Sequence, residues 1–144
     1  MIYLEYIAVL DKYLEAQKQY EAILMEKESL FQRTQPKSAN MEDDKVTGSH
    51  EGNTFEDYVI AKEKKQIDQR LDEARDILDD RGILVNLKLE ELRQSNAVED
   101  RIYRYRHIEM MAMWKIARLV NYSEMQVYRI HRKILKSIED VRKC

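Results

Sequence analysis

The sequence predicts an all-α fold, in which a long antiparallel helical hairpin is followed by a C-terminal helix-turn-helix domain. Only three Gly and one Pro interrupt the 144 residues, and such scarcity of helix breakers favours long helices. Apolar residues recur at helical spacing, and the balance of charge changes sign near residue 97. We therefore predict an N-terminal long helix over 1–33, a flexible loop over 34–54, a second long helix over 55–95 and the helix-turn-helix domain over 97–144.

The first long helix carries an apolar seam. Its members follow alternating steps of three and four: Tyr6, Val9, Tyr13, Ala16, Tyr20, Ile23 and Leu30, with Lys27 as an interruption. This is the spacing of the a and d positions of a coiled coil. Because Tyr suits a tightly packed dimer seam poorly, two interpretations stand: a homo-oligomer through the long helices, and a helix pair within one chain.

The second long helix repeats the pattern after a segment that contains Pro36, Gly48 and Gly52 and almost no apolar residue, which predicts a loop. Its seam consists of Ile60, Ile67, Leu71, Ala74, Leu78, Val85 and Leu92. Gly82 interrupts this stretch and marks either a kink or a break, since Gly costs about 1 kcal/mol relative to Ala inside a helix. Two long helices joined by a loop are expected to fold back and bury their seams together.

The charge distribution separates the two ends of the chain. Residues 1–96 hold 14 basic and 21 acidic residues, whereas residues 97–144 hold 11 basic and 6 acidic ones. A basic segment behind an acidic body is typical of a nucleic-acid-binding module on a separate support. An uneven split of ordinary surface charge is the alternative.

The basic segment predicts three short helices. The first spans 97–108, with Ile102, Tyr105 and Ile108 inward, and the second spans 112–120. We expect four residues of the second helix to point inward, namely Trp114, Ile116, Ala117 and Val120. Asn121 and Tyr122 form a tight turn, because Asn tolerates the left-handed conformation. Ser123 and Gln126 form a capping box that begins the third helix.

This arrangement fits helix-turn-helix geometry. Two helices that cross steeply need a small residue at their closest approach, a turn-former four positions later and apolar residues on the second helix. Ala117 is the small residue and Asn121 the turn-former. The predicted buried positions are Val120, Tyr122, Val127, Ile130 and Ile134.

The third helix then presents polar residues away from its buried stripe. The start of a recognition helix reaches base edges in the major groove of double-stranded DNA, so Gln126 is expected to pair with adenine and Arg129 with guanine. Basic residues further along bind phosphates. The predicted DNA-binding residues are Lys115, Arg118, Ser123, Gln126, Tyr128, Arg129, Arg132, Lys133 and Lys136. Arg101, Arg104 and Arg106 either brace the flanking DNA backbone or form a solvated face.

Catalysis finds little support, and we expect no enzyme and no cofactor. The chain has no Gly-rich phosphate loop, and His50, His107 and His131 are far apart in sequence. No metal-ligand spacing is recognisable, although His107, His131 and Cys144 could in principle gather around an ion. No apolar run reaches the roughly eighteen residues of a membrane span, so no membrane partner is expected. The single cysteine fits a reducing cytoplasm.

Several stretches of the C-terminal segment form a recognisable set, namely 102–108 (IYRYRHI), 114–117 (WKIA), 121–123 (NYS) and 127–131 (VYRIH), with 44–49 (DKVTGS) upstream. In these stretches the chain resembles small transcription regulators of phages and prophages of Gram-positive bacteria, of the ArpU and RinA types. The C-terminal domain of those proteins is similar to region four of sigma factors. The resemblance implies control of phage genes by DNA binding in the cytoplasm of a bacterial host, with host RNA polymerase as a further partner.

Two other functions stay open. One is a protein–protein adaptor that docks on RNA polymerase through the basic face. The other is a DNA-packaging protein like a small terminase subunit, which also combines a helix-turn-helix with long helices.

Overall fold

A computed structural model describes residues 1–34 and 54–143, and every regular element in them is helical. The elements are α1 (Ile2–Thr34), α2 (Thr54–Gln94), α3 (Val98–Tyr103), a π-helical segment (Arg104–Ile108), α4 (Met113–Val120) and α5 (Glu124–Lys143). The all-α prediction is confirmed, and most helix ends differ from the predicted ends by one or two residues. The predicted helix over 97–108 is the exception, because it is an α-helix only to Tyr103 and continues as the π-helical segment. Residues 35–53, which hold nearly all of the predicted flexible loop and the 44–49 stretch, lie outside the described residues.

Helix α2 continues through Gly82 without a break. A β-carbon at this position would lie 3.4 Å from Cε2 of Tyr13, which is close to ordinary van der Waals contact. The ring of Tyr13 therefore packs against the backbone of α2 at its one glycine. Of the two possibilities for Gly82, a break is ruled out, because α2 runs from Thr54 to Gln94 as one helix.

The chain divides into two compact units, one of Glu15–Asp79 and one of Met1–Leu14 with Asp80–Cys144. In the unit of Glu15–Asp79, segments of α1 and α2 run antiparallel. Glu26 accepts a hydrogen bond from Arg70 at 2.8 Å, and Arg75 donates to the hydroxyl of Tyr20 at 3.0 Å. The buried side chains of this unit are seam residues, namely Ala16, Leu30 and Leu71. These three seam residues are thus buried within the chain.

The other unit is built around one apolar core to which distant parts of the sequence contribute. Its most deeply buried apolar side chains are Ile7, Leu92, Ile102, Ile116, Val127 and Ile134. Tyr3 and Tyr6 of α1 pack their rings on Tyr103 of α3, with centroids 5.5 and 6.2 Å apart. Burial raises the pKa of the Tyr103 hydroxyl to about 12. The first fourteen residues therefore belong to the same core as α3, α4 and α5.

Asp100 is the one charged residue buried in the described core, with 2% of its surface exposed. Its Oδ1 accepts a hydrogen bond from the backbone N–H of Tyr3 at 3.0 Å, and its Oδ2 accepts one from the hydroxyl of Ser95 at 2.6 Å. Tyr3 lies in the first turn of α1, where backbone N–H groups have no partner within the helix. Asp100 therefore caps the start of α1, although 97 positions separate it from Tyr3.

A second polar contact joins the end of α5 to α1. Arg142 donates to both carboxylate oxygens of Asp11, from Nε and from Nη2, each at 3.1 Å. This paired geometry is the strongest form of an Arg–carboxylate contact. The pair is partly exposed and joins the last turn of α5 to α1, beyond the buried residues Ile134 and Ile138.

None of the helices in the described ranges combines the length and the apolar character that a membrane crossing requires.

Candidate nucleic-acid interface

Helices α4 and α5 are joined by the three residues 121–123. Asn121 adopts the left-handed conformation, with φ 60° and ψ 39°, as the sequence predicts. The backbone N–H of Tyr122 donates to the carbonyl of Ala117 at 3.0 Å, which is the longer hydrogen bond of a Schellman motif. Asn121 therefore ends α4 and turns the chain into α5.

The capping box that the sequence predicts begins α5. Ser123 Oγ accepts a hydrogen bond from the backbone N–H of Gln126 at 3.2 Å, and Gln126 Oε1 accepts one from the backbone N–H of Ser123 at 3.0 Å. These reciprocal bonds satisfy two donors that the helix end would leave open. Because these bonds occupy the amide oxygen of Gln126, its side chain could pair with adenine only after its hydrogen bond to the Ser123 N–H is broken.

Packing between the two helices follows the predicted register at most positions. Ala117, Val120, Val127 and Ile134 are buried, and Ile130 is partly buried. The prediction that Tyr122 is buried is wrong, since 39% of its surface is exposed. Val120 and Val127, on either side of the turn, are the residues that enter the core there.

The inward placement of Trp114 is also wrong. The buried stripe of α4 consists of Met113, Ile116, Ala117 and Val120, which are spaced three, one and three apart. Trp114 lies one position off that stripe and is 52% exposed. Its ring is covered by the guanidinium of Arg118, which lies 5.2 Å from the ring centroid. The helix thus shows an aromatic ring and a cation together on its outer side.

The outward side of α5 is cationic. Val127, Ile134 and Ile138 define its buried side, and Arg129, Arg132, Lys133 and Lys136 are exposed on the opposite side. We call these four residues the cationic face of α5. Within the described ranges none of the four forms an ion pair, and neither do the exposed cations of α4, Lys115 and Arg118. The first turns of α5 also expose Tyr128 and Met125, whose sulfur lies 3.8 Å from Nη2 of Arg129.

The arginines of the first short helix have a different role. Arg101 donates to the carbonyl of Leu119 at 3.1 Å, and Arg106 donates to the carbonyl of Met111 at 2.9 Å. Arg104 donates to the carbonyl of Arg93. Both Arg101 and Arg104 lie against the ring of Tyr105, at 5.9 and 4.8 Å from its centroid. All three guanidinium groups therefore bind backbone carbonyls near helix ends, a role that neither of the two sequence interpretations included.

Two features near this region were not found by sequence reasoning. Met110 has a φ of 57°, a left-handed conformation that nothing in the side chain of Met predicts. His107 and His131 meet through their Nε2 atoms at 3.0 Å, although 24 positions separate them. The contact arises because the π-helical segment and α5 pack against the same core, and no local pattern in the sequence signals it.

A metal centre has no support among residues 1–34 and 54–143, where no three His, Cys, Asp or Glu side chains come together. Of His107, His131 and Cys144, the two histidines are in contact, and Cys144 lies outside the described residues.

In comparisons of sequence and structure, no family description, no curated protein and no solved structure matches this chain.

Proposed function

We propose that this protein is a DNA-binding transcription regulator of the phage type, in which α4 and α5 form a helix-turn-helix and α5 is the recognition helix. One observation carries the proposal. The cationic face of α5 directly follows a capped helix start, and its charges have no acidic partner in the described structure. Cations that are free of ion pairs are available to phosphate without first breaking a protein contact.

The position of each side chain along α5 suggests its role. Residues in the first turns of a recognition helix reach base edges, and residues further along reach the backbone. Arg129 is therefore the residue that we expect to read a base, with guanine as its preferred partner. Arg132, Lys133 and Lys136 are assigned to phosphates. Tyr128, which is 47% exposed, offers an aromatic ring and a hydroxyl beside them.

Helix α4 supplies the flanking contacts. Lys115 and Arg118 are exposed on the side of α4 away from the core, and the first helix of a helix-turn-helix crosses the DNA backbone. Together with Arg132, Lys133 and Lys136 of α5, they make five cations without an ion pair in the described structure that are assigned to phosphates. Each phosphate that is neutralised changes the slope of log affinity against log salt by about −0.9, so five contacts would give a slope of about −4.5.

Control of phage genes enters the proposal through the resemblance of the C-terminal segment, whereas DNA binding rests on the residues. A small-terminase-like packaging role shares the DNA-binding chemistry. The site of binding separates the two roles, because a regulator binds near promoters and a packaging protein binds at a packaging site.

An adaptor that docks on RNA polymerase is the second candidate, and one observation favours it. Trp114, Leu119 and Tyr122 expose 52%, 42% and 39% of their surfaces around α4 and the turn that follows it. Exposed aromatic side chains beside arginine are typical of protein interfaces. Binding of this kind would use these apolar residues together with the basic face.

Selection of bound sequences from random double-stranded DNA at physiological salt tests the proposal. We expect enrichment of a defined motif, and we expect affinity for a duplex carrying it to fall steeply with salt. Selection without enrichment, combined with weak binding at low salt, would contradict the DNA-binding function and favour the adaptor.

A further inference from the structure

The contact between His107 and His131 joins two elements that are distant in sequence. His107 belongs to the π-helical segment and His131 to the second turn of α5. The ring centroids are 5.1 Å apart, the ring planes differ by 24°, and the Nε2 atoms are separated by 3.0 Å. Because the centroids are much further apart than the nitrogens, the rings meet edge to edge. Each Nε2 therefore points at the other.

Such a geometry limits the protons that the pair can hold. A hydrogen bond between two nitrogens needs one N–H donor and one lone pair. Two neutral rings satisfy this when one carries its proton on Nε2 and the other carries it on Nδ1. One added proton is also tolerated, because it goes to the distant Nδ1 of the ring that donates. A second added proton places N–H groups face to face at 3.0 Å, where no hydrogen bond is possible.

The surroundings oppose charge on the pair. The His107 ring stacks on Tyr103 of α3, with centroids 4.8 Å apart, and the Tyr103 hydroxyl, whose pKa burial raises to about 12, carries no charge in the pH range of histidine titration. Burial and the charge of Arg106 lower the pKa of His107. Burial, then His107 and Arg106, lower the pKa of His131. Among the described residues, no acidic neighbour contributes to either shift, and the pair keeps contact with solvent, since His107 is exposed and His131 is half-buried.

We propose that the His107–His131 contact is a pH-dependent switch, which joins the π-helical segment to α5 at neutral pH and releases it when both rings are protonated. The inference goes beyond the proposed function and does not depend on it. A π-helical turn is a rare element that is frequent at functional sites, and here the hydrogen bond between the rings joins it to α5. When the contact opens, His107 loses its hydrogen-bond partner, and the second turn of α5 loses its hydrogen bond to the π-helical segment.

The sign of the pH effect follows from the proton count. Above pH 6.5, the ordinary value for histidine, folded and unfolded chains hold similar numbers of protons on the two rings. Below it, the unfolded chain takes up two and the folded pair takes up fewer. The stabilisation is thus fully present above pH 6.5 and is lost as the pH falls through the lower pKa of the folded pair. Each missing proton reduces the folded-to-unfolded ratio about tenfold per pH unit.

Urea unfolding of the full chain between about pH 7.5 and about pH 5.5 tests the switch, since this range brackets histidine titration. The double variant His107→Gln/His131→Gln keeps a donor and an acceptor at the contact but cannot take up protons. The matched control is His50→Gln, which removes the third histidine of the chain. Between about pH 6.5 and about pH 5.5, we expect the folded-to-unfolded ratio of the wild type and of the control to fall by about tenfold more than the ratio of the double variant. Equal pH dependence in all three proteins would overturn the proposal.

Side-chain nitrogen NMR of the wild type gives an answer even if the double variant does not fold. We expect one of the two rings to carry its proton on Nδ1 and the other on Nε2 at neutral pH, and we expect two separate titration steps, as in coupled sites. Two rings that titrate together near their ordinary pKa, with the same tautomer, would show that the contact does not exist in solution.

Discussion

At the scale of single residues, two polar side chains fix the backbone at positions where the fold depends on it. Asp100 caps α1 through the N–H of Tyr3, and Asn121 takes the left-handed conformation that ends α4. The role of Asn121 is readable from the sequence, because Asn is one of few residues that tolerate that conformation. The role of Asp100 is not readable, because its partner lies 97 positions away and an isolated Asp resembles any surface carboxylate.

Replacement of Asp100 tests its capping role. Asp100→Ala leaves the buried N–H of Tyr3 and the hydroxyl of Ser95 without their acceptor, which should lower the free energy of unfolding by about 2–3 kcal/mol. Urea unfolding measures the change. Asp140→Ala, at an exposed site on α5, is the control and should change stability by less than about 0.5 kcal/mol. Similar effects of the two variants would show that Asp100 does not cap α1.

Asn121 allows a test of the turn between α4 and α5. Asn121→Ala should lower the free energy of unfolding by about 1 kcal/mol, because an alanine β-carbon is strained in the left-handed conformation. Asn121→Gly is the matched variant and should leave stability unchanged or raise it slightly. Urea unfolding compares the two. An alanine variant as stable as the glycine variant would mean that residue 121 is not left-handed in solution.

At the scale of elements, sequence periodicity predicts most of what the structure shows. The apolar seams of α1 and α2, the start and end of α4 and the capping box of α5 all follow from spacing within one element. The errors arise where burial is decided between elements. Trp114 is apolar and close to the core stripe of α4, but Met113 occupies that stripe instead. The roles of Arg101, Arg104 and Arg106 depend on carbonyls of other segments, which no local pattern reveals.

Gly82 tests the continuity of α2. Gly82→Ala should raise the free energy of unfolding by about 0.5–1 kcal/mol, because Ala has the higher helix propensity and its β-carbon meets Tyr13 at the 3.4 Å limit of ordinary contact. Gly82→Leu is the companion variant, and it should lower stability because its larger side chain displaces the Tyr13 ring. Thermal unfolding followed by circular dichroism measures both. Destabilisation by alanine would indicate that α2 bends or breaks at residue 82.

At the scale of the whole molecule, the candidate DNA-binding helices do not form a core by themselves. The N-terminal residues Tyr3, Tyr6 and Ile7 are buried in the same core as Ile102 and Ile134. A division of the chain by sequence position alone places these residues in different segments. Sequence reasoning finds the segments because each has its own periodicity, but the pairing of the first helix with the last three depends on contacts across most of the chain.

The shared core predicts that a change in α1 destabilises α4. Ile7→Ala should lower the free energy of unfolding by about 2–5 kcal/mol, as for other large-to-small changes in a core. Trp114, the only tryptophan, lies on α4 and reports unfolding there by fluorescence. Leu30→Ala, a buried change in the unit of Glu15–Asp79, should move the Trp114 transition less than Ile7→Ala does. If Ile7→Ala did not shift the unfolding transition that Trp114 reports, the result would show that α1 does not share a core with α4.

The central proposal, DNA binding by the cationic face of α5, is tested most directly by one comparison of affinities. Arg129→Ala/Arg132→Ala removes two cations from α5, and Lys62→Ala/Lys65→Ala removes two exposed cations from α2. Binding to the same duplex is measured by fluorescence anisotropy over a range of salt concentrations. We expect the first variant to keep its helicity, to bind at least about tenfold more weakly and, because only Arg132 of the pair is assigned to a phosphate, to show a salt slope smaller in magnitude by about 1, whereas the second binds like the wild type. Equal affinity of both variants and the wild type would contradict the assignment of α5 as the recognition helix.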